Sequence, residues 1–237
     1  KFGPVSGFFV PLLMERGLVE LPVEEVHHAV RTLRCRVGEE AYLSNGQGLL
    51  ARARFVEVKG ERAVLEVLEV WERPGEPPAP IGLVVAFLKA PDRIGWLVEK
   101  AVELGATDIF LAPFARSFPR RPSESRLRRI AIAALKQNLR SVLPRIQVCS
   151  QWEEVPWTQF ERRLFGEIGA SVPLRQALPS TLVSTLWVVG PEGDFTSEEK
   201  EALRRLGLTG VSLGHLRLRA ETAALLYLST LKTLWGY

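Results

Sequence analysis

Cysteine is nearly missing from this chain. Its 237 residues contain two, Cys35 and Cys149, far apart and without a CxxC neighbour. That excludes a disulfide framework and a cysteine-built metal site, and it fits a reducing cytoplasm. Both read as small buried hydrophobes. Long apolar runs are missing too. The longest, Leu83–Leu88 with Ile81 just before it, is strand length, far short of the roughly 18–20 residues that span a bilayer. The N-terminal KFGPVSG has no apolar core followed by a cleavage site, which argues against secretion. His27, His28 and His215 are not spaced as a metal set and read as surface or capping residues. There is no GxxxxGK(S/T), so no P-loop, and neither HExxH nor GxSxG occurs. No GxGxxG follows the first strand of the second half, which runs instead into Lys89-Ala90-Pro91-Asp92. The usual phosphate, dinucleotide, zinc-hydrolase and nucleophile-elbow chemistries are thereby set aside.

Acidic residues are scarce in one place. Net charge is only +4, yet between Arg116 and Arg145 the single acid Glu124 faces Arg116, Arg120, Arg121, Arg126, Arg128, Arg129, Lys136, Arg140 and Arg145. Positive charge of this density, almost all arginine, suits a polyanion, because the planar guanidinium matches phosphate geometry. A nucleic acid is the expected partner.

What is present is a 46% hydrophobic, 24% charged chain long enough for one large domain or two modest ones. Phe8–Pro11 reads as a strand and Val23–Arg34 as a helix with Val26, Val30 and Leu33 on one face. Ala41–Leu43, Leu49–Val58 and Arg62–Val70 read as short strands joined by Asn45-Gly46 and Lys59-Gly60 turns, a small barrel or sandwich. Pro74, Pro77, Pro78 and Pro80 mark a linker over residues 73–80, separating a domain at 1–72 from one at 81–237. Beyond it strands and helices alternate. Strands are expected at Ile81–Leu88, Asp108–Phe114, Arg145–Cys149, Arg163–Ile168, Leu186–Val189 and Gly210–Leu213. Helices are expected at Pro91–Leu104, Ser123–Leu143, from Thr196, and at Glu221–Trp235. Thr196 with Glu199 has the form of a capping box. Such alternation implies an α/β domain, a mostly parallel sheet with helices on both faces. The last helix is apolar nearly all round and must be buried, in the core or partly against another subunit.

The stretch Leu186–Thr222 is the expected ligand site. Two strands run into glycine-bearing loops, Gly190–Asp194 and Gly214–Arg219, and in open α/β sheets ligands sit beyond the carboxyl ends of strands. Gly190 and Gly193 would allow positive φ and close approach of a ligand. Arg219 and Glu221 flank the second loop and could pair with each other.

Five segments resemble one bacterial family. GPEGDFTSEE is similar to a GPEGG-(F/L)-S-x-E loop, and LGHLRLRAETA to LGxRxLRxETA. VEKAVELGATDIFLAPFARS and RIAIAALKQNLRSVLPRI resemble two further segments of that family, and FFVP with HHAVRTLRCRVGE resembles its start. The family is the SPOUT-class methyltransferases that methylate N3 of a uridine in small-subunit (16S) ribosomal RNA. The resemblance covers nearly the whole chain in collinear order. It implies a C-terminal trefoil knot whose loops hold S-adenosylmethionine, a homodimer, a small N-terminal PUA-like RNA-binding β-barrel, and no metal. The cofactor residues it implies are Gly166, Gly190, Pro191, Glu192, Gly193, Leu213, Gly214, Leu218, Arg219 and Thr222. RNA contacts are expected from Arg31, Arg34, Arg36, Arg116, Arg120 and Arg121. Departures from the pattern are Asp194 for a second glycine, His215 for proline, Leu216 for arginine, and Lys136 for glutamate. Phe165-Gly166-Glu167 also matches its segment poorly.

Attack by uridine N3 requires loss of its proton, and a cation near the uracil oxygens would stabilise the anion. Arg140 or Arg219 is expected there, with Glu221 or a water it orients as the base. The competing readings are an RNA-binding or ribosome-assembly protein without methyl transfer, or a methyltransferase acting on another RNA.

Overall fold

The computed structural model describes residues 6–178 and 181–237. Lys1–Val5, part of the N-terminal stretch read above, lie outside it. The chain divides into two compact units, one comprising residues up to Glu76 plus Ile132–Leu143, the other Pro77–Ala131 plus Pro144–Tyr237.

The first unit is built on a five-stranded sheet of order β1-β3-β4-β5-β2. Its strands are β1 (Gly7–Phe9), β2 (Leu18–Glu20), β3 (Glu40–Ser44), β4 (Leu49–Lys59) and β5 (Arg62–Glu72). Along β4 the period-two alternation places Ala51, Ala53 and Phe55 in the core. Arg52 and Arg54 point the other way and pair with Glu40 across the ladder. The Asn45-Gly46 turn forms because Asn45 Oδ1 accepts from the amides of Gln47 and Leu49. Two register shifts in the β4–β5 ladder bend the sheet.

The helix expected over Val23–Arg34 is shorter and changes pitch. α1 (Val23–His27) gives way to a π-helical turn at His28–Thr32. The wider turn shifts the phase of later residues. Val26 is buried and Val30 packs against the core, but Leu33 turns outward.

The second unit carries a six-stranded sheet of order β11-β9-β10-β6-β7-β8, parallel throughout. Its strands are β6 (Ile81–Ala86), β7 (Asp108–Ala112), β8 (Arg145–Val148), β9 (Arg162–Gly166), β10 (Thr185–Val189) and β11 (Thr209–Val211). Every residue of β6 and β10 is buried, as befits central parallel strands covered on both faces. Its helices are α2 (Pro91–Glu103), α4 (Leu174–Ala177), α5 (Ser197–Arg205) and α6 (Ala220–Trp235), and α3 (Glu124–Asn138) begins in it, its residues from Ile132 on belonging to the first unit. α6 packs on α2, β10 and β6. The α5 capping box forms as read: Thr196 Oγ1 accepts from the Glu199 amide, and Glu199 accepts from the Thr196 amide. Burial, helped by the nearby Glu154 carboxylate, pushes the Cys149 thiol up to about 11, so it is inert at neutral pH.

One helix expectation needs correction. The helix expected over Ser123–Leu143 ends at Asn138, because Leu139 takes a left-handed φ of 59°. Residues beyond it turn back onto the Asn45-Gly46 turn, with the Leu143 amide donating to the Gly46 carbonyl. Within the single chain the terminal helix is buried on one side. Ala224, Tyr227, Leu228 and Leu231 are enclosed, whereas Leu226 and Leu234 are exposed.

Candidate functional site

The strand order of the second unit creates a crevice. The chain places β9 outside the position that β10 later fills, and β11 outside β9. Loops leaving the carboxyl ends of β9, β10 and β11 therefore converge. Between them lies a cavity of 480 Å³, within the usual range for a small-molecule site.

Its apolar lining is Trp187 and Val189 from β10, Ile168, Leu213, Leu216 and Leu218 from the loops, and Ala223 from α6. Trp187 is held flat by stacking on Tyr227, ring centroids 4.8 Å apart, and its indole N–H donates to the Ala223 carbonyl. Tyr227 is itself tied to Thr185 through its hydroxyl. The cavity floor is thus rigid.

The loop after β10, Gly190–Asp194, is gripped by three guanidiniums. Arg93, in the first turn of α2, places Nη1 2.9 Å from Glu192 Oε1. Arg217 donates to the Glu192 carbonyl at 2.9 Å, and Arg116 to the Gly193 carbonyl at 2.8 Å. Gly190 and Gly193 do not take positive φ, contrary to expectation. They are small for want of room. A Cβ on Gly190 would sit 3.0 Å from the Phe195 ring, and one on Gly193 3.2 Å from the Arg116 side chain. The left-handed positions are Asp194, φ 63°, and Gly214, φ 116°. Aspartate tolerates that region better than most residues. Here its carboxylate also accepts from the Phe195 amide and pairs with Lys200 at 2.8 Å. The departure at 194 is therefore accommodated locally.

Arg93 also binds Glu221 through both oxygens, Nε to Oε1 at 2.9 Å and Nη2 to Oε2 at 2.5 Å. Burial disfavours the charged form of Glu221, but the Arg93 guanidinium and the Glu221 backbone amide, with the Arg219 charge nearby, outweigh it. The carboxyl is held below the usual range. Both oxygens of Glu221 are engaged by Arg93, which ties the start of α6 to the first turn of α2. The expected Arg219–Glu221 pair does not form as a hydrogen-bonded contact; Arg93 takes that place.

Arg219 caps the start of α6, lines the cavity and is exposed. Its guanidinium makes no hydrogen bond or ion pair among the described residues, which leaves it available to a ligand. Arg140 is placed differently. It is buried in the first unit and grips Glu76 with Nε at 3.3 Å and Nη2 at 2.6 Å. Glu76 Oε1 further accepts from the Ser141 and Val142 amides. Arg140 does not line the cavity. Its guanidinium closes a buried ion pair within the first unit. Lys136, another departure, is likewise satisfied by Glu25, at 2.9 and 3.0 Å from its two oxygens.

Of the expected cofactor residues, the structure gathers Gly166, Gly190, Pro191, Glu192, Leu213, Gly214, Leu218 and Arg219 around the cavity. Gly193 lies under Arg116, and Thr222 faces outward. Arg31, Arg34 and Arg36 are exposed on the first unit, and Arg116, Arg120 and Arg121 on the second. Arg116 and Arg121 already bond backbone carbonyls, Arg121 those of Val148 and Cys149. Arg120 has no such bond among the described residues. Sequence reasoning missed Arg93 and Trp187. Arg93 follows a strand end, which is a signal, but its partners lie 99 and 128 positions away. Among the described residues no group of three or more His, Cys, Asp or Glu could hold a metal ion, and no helix is long and apolar enough to cross a membrane.

Comparison with known proteins gives consistent matches. A family model described as an RNA methyltransferase domain matches residues 75–232, and one described as an RNA methyltransferase PUA domain matches residues 21–68. The chain is 30% identical to the ribosomal RNA small subunit methyltransferase E of Mycobacterium bovis, over 92% of this chain and 87% of that one. It is 28% identical to the Bacillus subtilis protein of the same name, over 88% and 87%. Among solved structures it resembles a ribosomal RNA small subunit methyltransferase E from Neisseria gonorrhoeae bound to S-adenosylmethionine. That match has a TM-score of 0.88 and 28% identity, and covers 98% of each chain.

Proposed function

The chain belongs to the RNA methyltransferase family that carries an N-terminal PUA domain, and on that premise we propose that it transfers methyl from S-adenosylmethionine to N3 of a uridine in small-subunit (16S) ribosomal RNA. The observation that carries this reading is the cavity beyond β9, β10 and β11, lined by both glycine-bearing loops and by the uncommitted guanidinium of Arg219.

The lining fits the cofactor. Ile168, Leu213, Leu216 and Leu218 offer apolar surface to an adenine, and the backbones of Gly190–Glu192 and Leu213–Gly214 offer hydrogen-bonding groups. Bound there, S-adenosylmethionine supplies an electrophilic methyl group on a sulfonium. The protein's part is positional and electrostatic. Arg219 stabilises the negative charge that reaches the uracil oxygens as N3 gives up its proton. The carboxylates that line the cavity are already paired, Glu167 with Arg204, Glu192 with Arg93 and Asp194 with Lys200, so the proton passes to water. The uridine must leave its stack to be reached.

The RNA is held by the exposed arginines Arg31, Arg34, Arg36, Arg116, Arg120 and Arg121. The exposed Leu226 and Leu234 on α6 support a homodimer that covers them. The strand order around β9, β10 and β11 and the convergence of their loops support the knot that the resemblance implies. Free Cys35 and Cys149 suit a cytoplasmic location. Primer extension on ribosomal RNA from a deletion strain tests the activity, because N3 methylation blocks pairing and stops the polymerase. One stop in the small-subunit RNA should vanish on deletion and return with the gene. Unchanged stops, with no saturable binding of the cofactor in calorimetry, would leave an RNA-binding protein instead.

A further inference from the structure

The guanidinium of Arg93 occupies an unusual place. Its Nε and Nη2 edge is spent on Glu221 in the first turn of α6, and its Nη1 on Glu192 in the loop after β10. Glu192 Oε1 also accepts from the Lys89 amide at 3.3 Å, which draws the segment between β6 and α2 into the same cluster. Glu221 is the more enclosed partner, with its side chain 10% exposed against 41% for Glu192. One side chain thus spans the two segments that bound the cavity, and Arg219 lies two residues before Glu221.

We propose that Arg93 is a positioning residue for methyl transfer: it ties the Gly190–Asp194 loop to the start of α6 and so sets the direction in which Arg219 is presented. The proposal rests on the methyltransferase reading given above. Arg93 touches neither reacting atom and acts through Glu192 and Glu221. Lysine cannot replace it, because a single ammonium on a flexible stem does not reproduce a planar fork that serves two carboxylates at fixed angles. Arg217 and Arg116 hold the same loop by its carbonyls, so losing Arg93 releases the loop's link to α6 without freeing the loop altogether. The charged groups facing Glu221 are Arg93 and Arg219. With Arg93 gone, burial of Glu221 is opposed only by Arg219 and its own backbone amide.

Arg93→Lys and Arg93→Ala, prepared in the full chain, separate this role from a merely structural one. The lysine variant keeps charge and most of the volume, so a folding failure of the alanine variant does not decide the matter. Hydrogen exchange without cofactor should show faster exchange in residues 190–194 and the first turn of α6 in both variants. Turnover at saturating S-adenosylmethionine should fall about 100-fold, as a small misplacement of a reacting group costs, with a smaller rise in KM for the cofactor. In the alanine variant the acid limb of the rate profile should move to higher pH. Wild-type exchange in both variants, or full rescue of turnover by lysine, overturns the proposal. A wild-type protein that neither binds cofactor nor methylates sinks the functional reading and, with it, the catalytic consequence. The exchange data would still show whether the tie exists.

Discussion

Arg140 and Arg93 each grip a carboxylate with two nitrogens, but their surroundings differ. Arg140 and Glu76 are sealed, with side chains 8% and 1% exposed. Glu76 is further saturated by the amides of Ser141 and Val142 and the Ser141 hydroxyl. Such a pair holds the chain after α3 against the turn at Asn45–Gly48 and has no capacity left for a ligand. Arg93 and Glu221 sit beside a cavity, and Arg93 keeps one nitrogen for the neighbouring loop. The lesson is that an arginine in a family-like motif can serve architecture or chemistry, and that enclosure decides which.

Glu76→Ala should produce the largest effect. It strips the buried Arg140 of its carboxylate and two amides of their acceptor, which costs about 3–5 kcal/mol. Urea unfolding would show it, with turnover per folded molecule unchanged. Next comes Arg219→Ala, expected to lower turnover about 100-fold or more, the cost of removing one preorganised donor. Calorimetry should find cofactor affinity altered by less than about tenfold, a change worth roughly 1.4 kcal/mol. If Arg219→Ala turned over normally while folded Arg140→Ala did not, the contrast between the two sites would be reversed.

A smaller effect is expected from acid. The Glu221 carboxyl is held below its usual range, against burial, by Arg93. Its contribution to stability is therefore complete above about pH 4.3, the ordinary glutamate value, and is lost as pH falls through the depressed one. Glu221→Gln should remove that part of the pH dependence below about pH 4.3, read from unfolding midpoints against wild type. Least of all should change in Asp194→Gly. Relief of a left-handed residue offsets the lost Lys200 pair, so stability should stay within about 1 kcal/mol. A loss well beyond that would show that the Asp194–Lys200 pair, rather than backbone preference, holds the first loop.

Much of the framework was legible because it is local. The capping box at Thr196, the all-apolar β6 and the turn at Asn45-Gly46 depend on neighbours within a few residues. The order of motifs was enough to collect most of the cavity lining. The reading failed where geometry intervened. A π-helical turn after His27 sends Leu33 outward, and a left-handed Leu139 cuts α3 short, so Arg140 lies outside the helix. At Gly190 and Gly193 the pattern suggests positive φ and close approach of a ligand, whereas the structure shows ordinary φ and a Cβ that would crowd the Phe195 ring and the Arg116 stem.

Periodicity and composition along the chain are enough to dictate a parallel α/β unit, a separate strand-rich unit before the proline-rich stretch, and ligand loops near Gly190 and Gly214. These follow from pattern, which a linear string preserves. Which arginine meets which carboxylate does not follow, because one arginine looks like another as charge, at Arg93 as among the basic residues from Arg116 to Arg145. Folding alone brought Glu192 and Glu221 to Arg93 and closed Arg140 over Glu76, since pairing depends on distances that strand order sets and sequence separation hides.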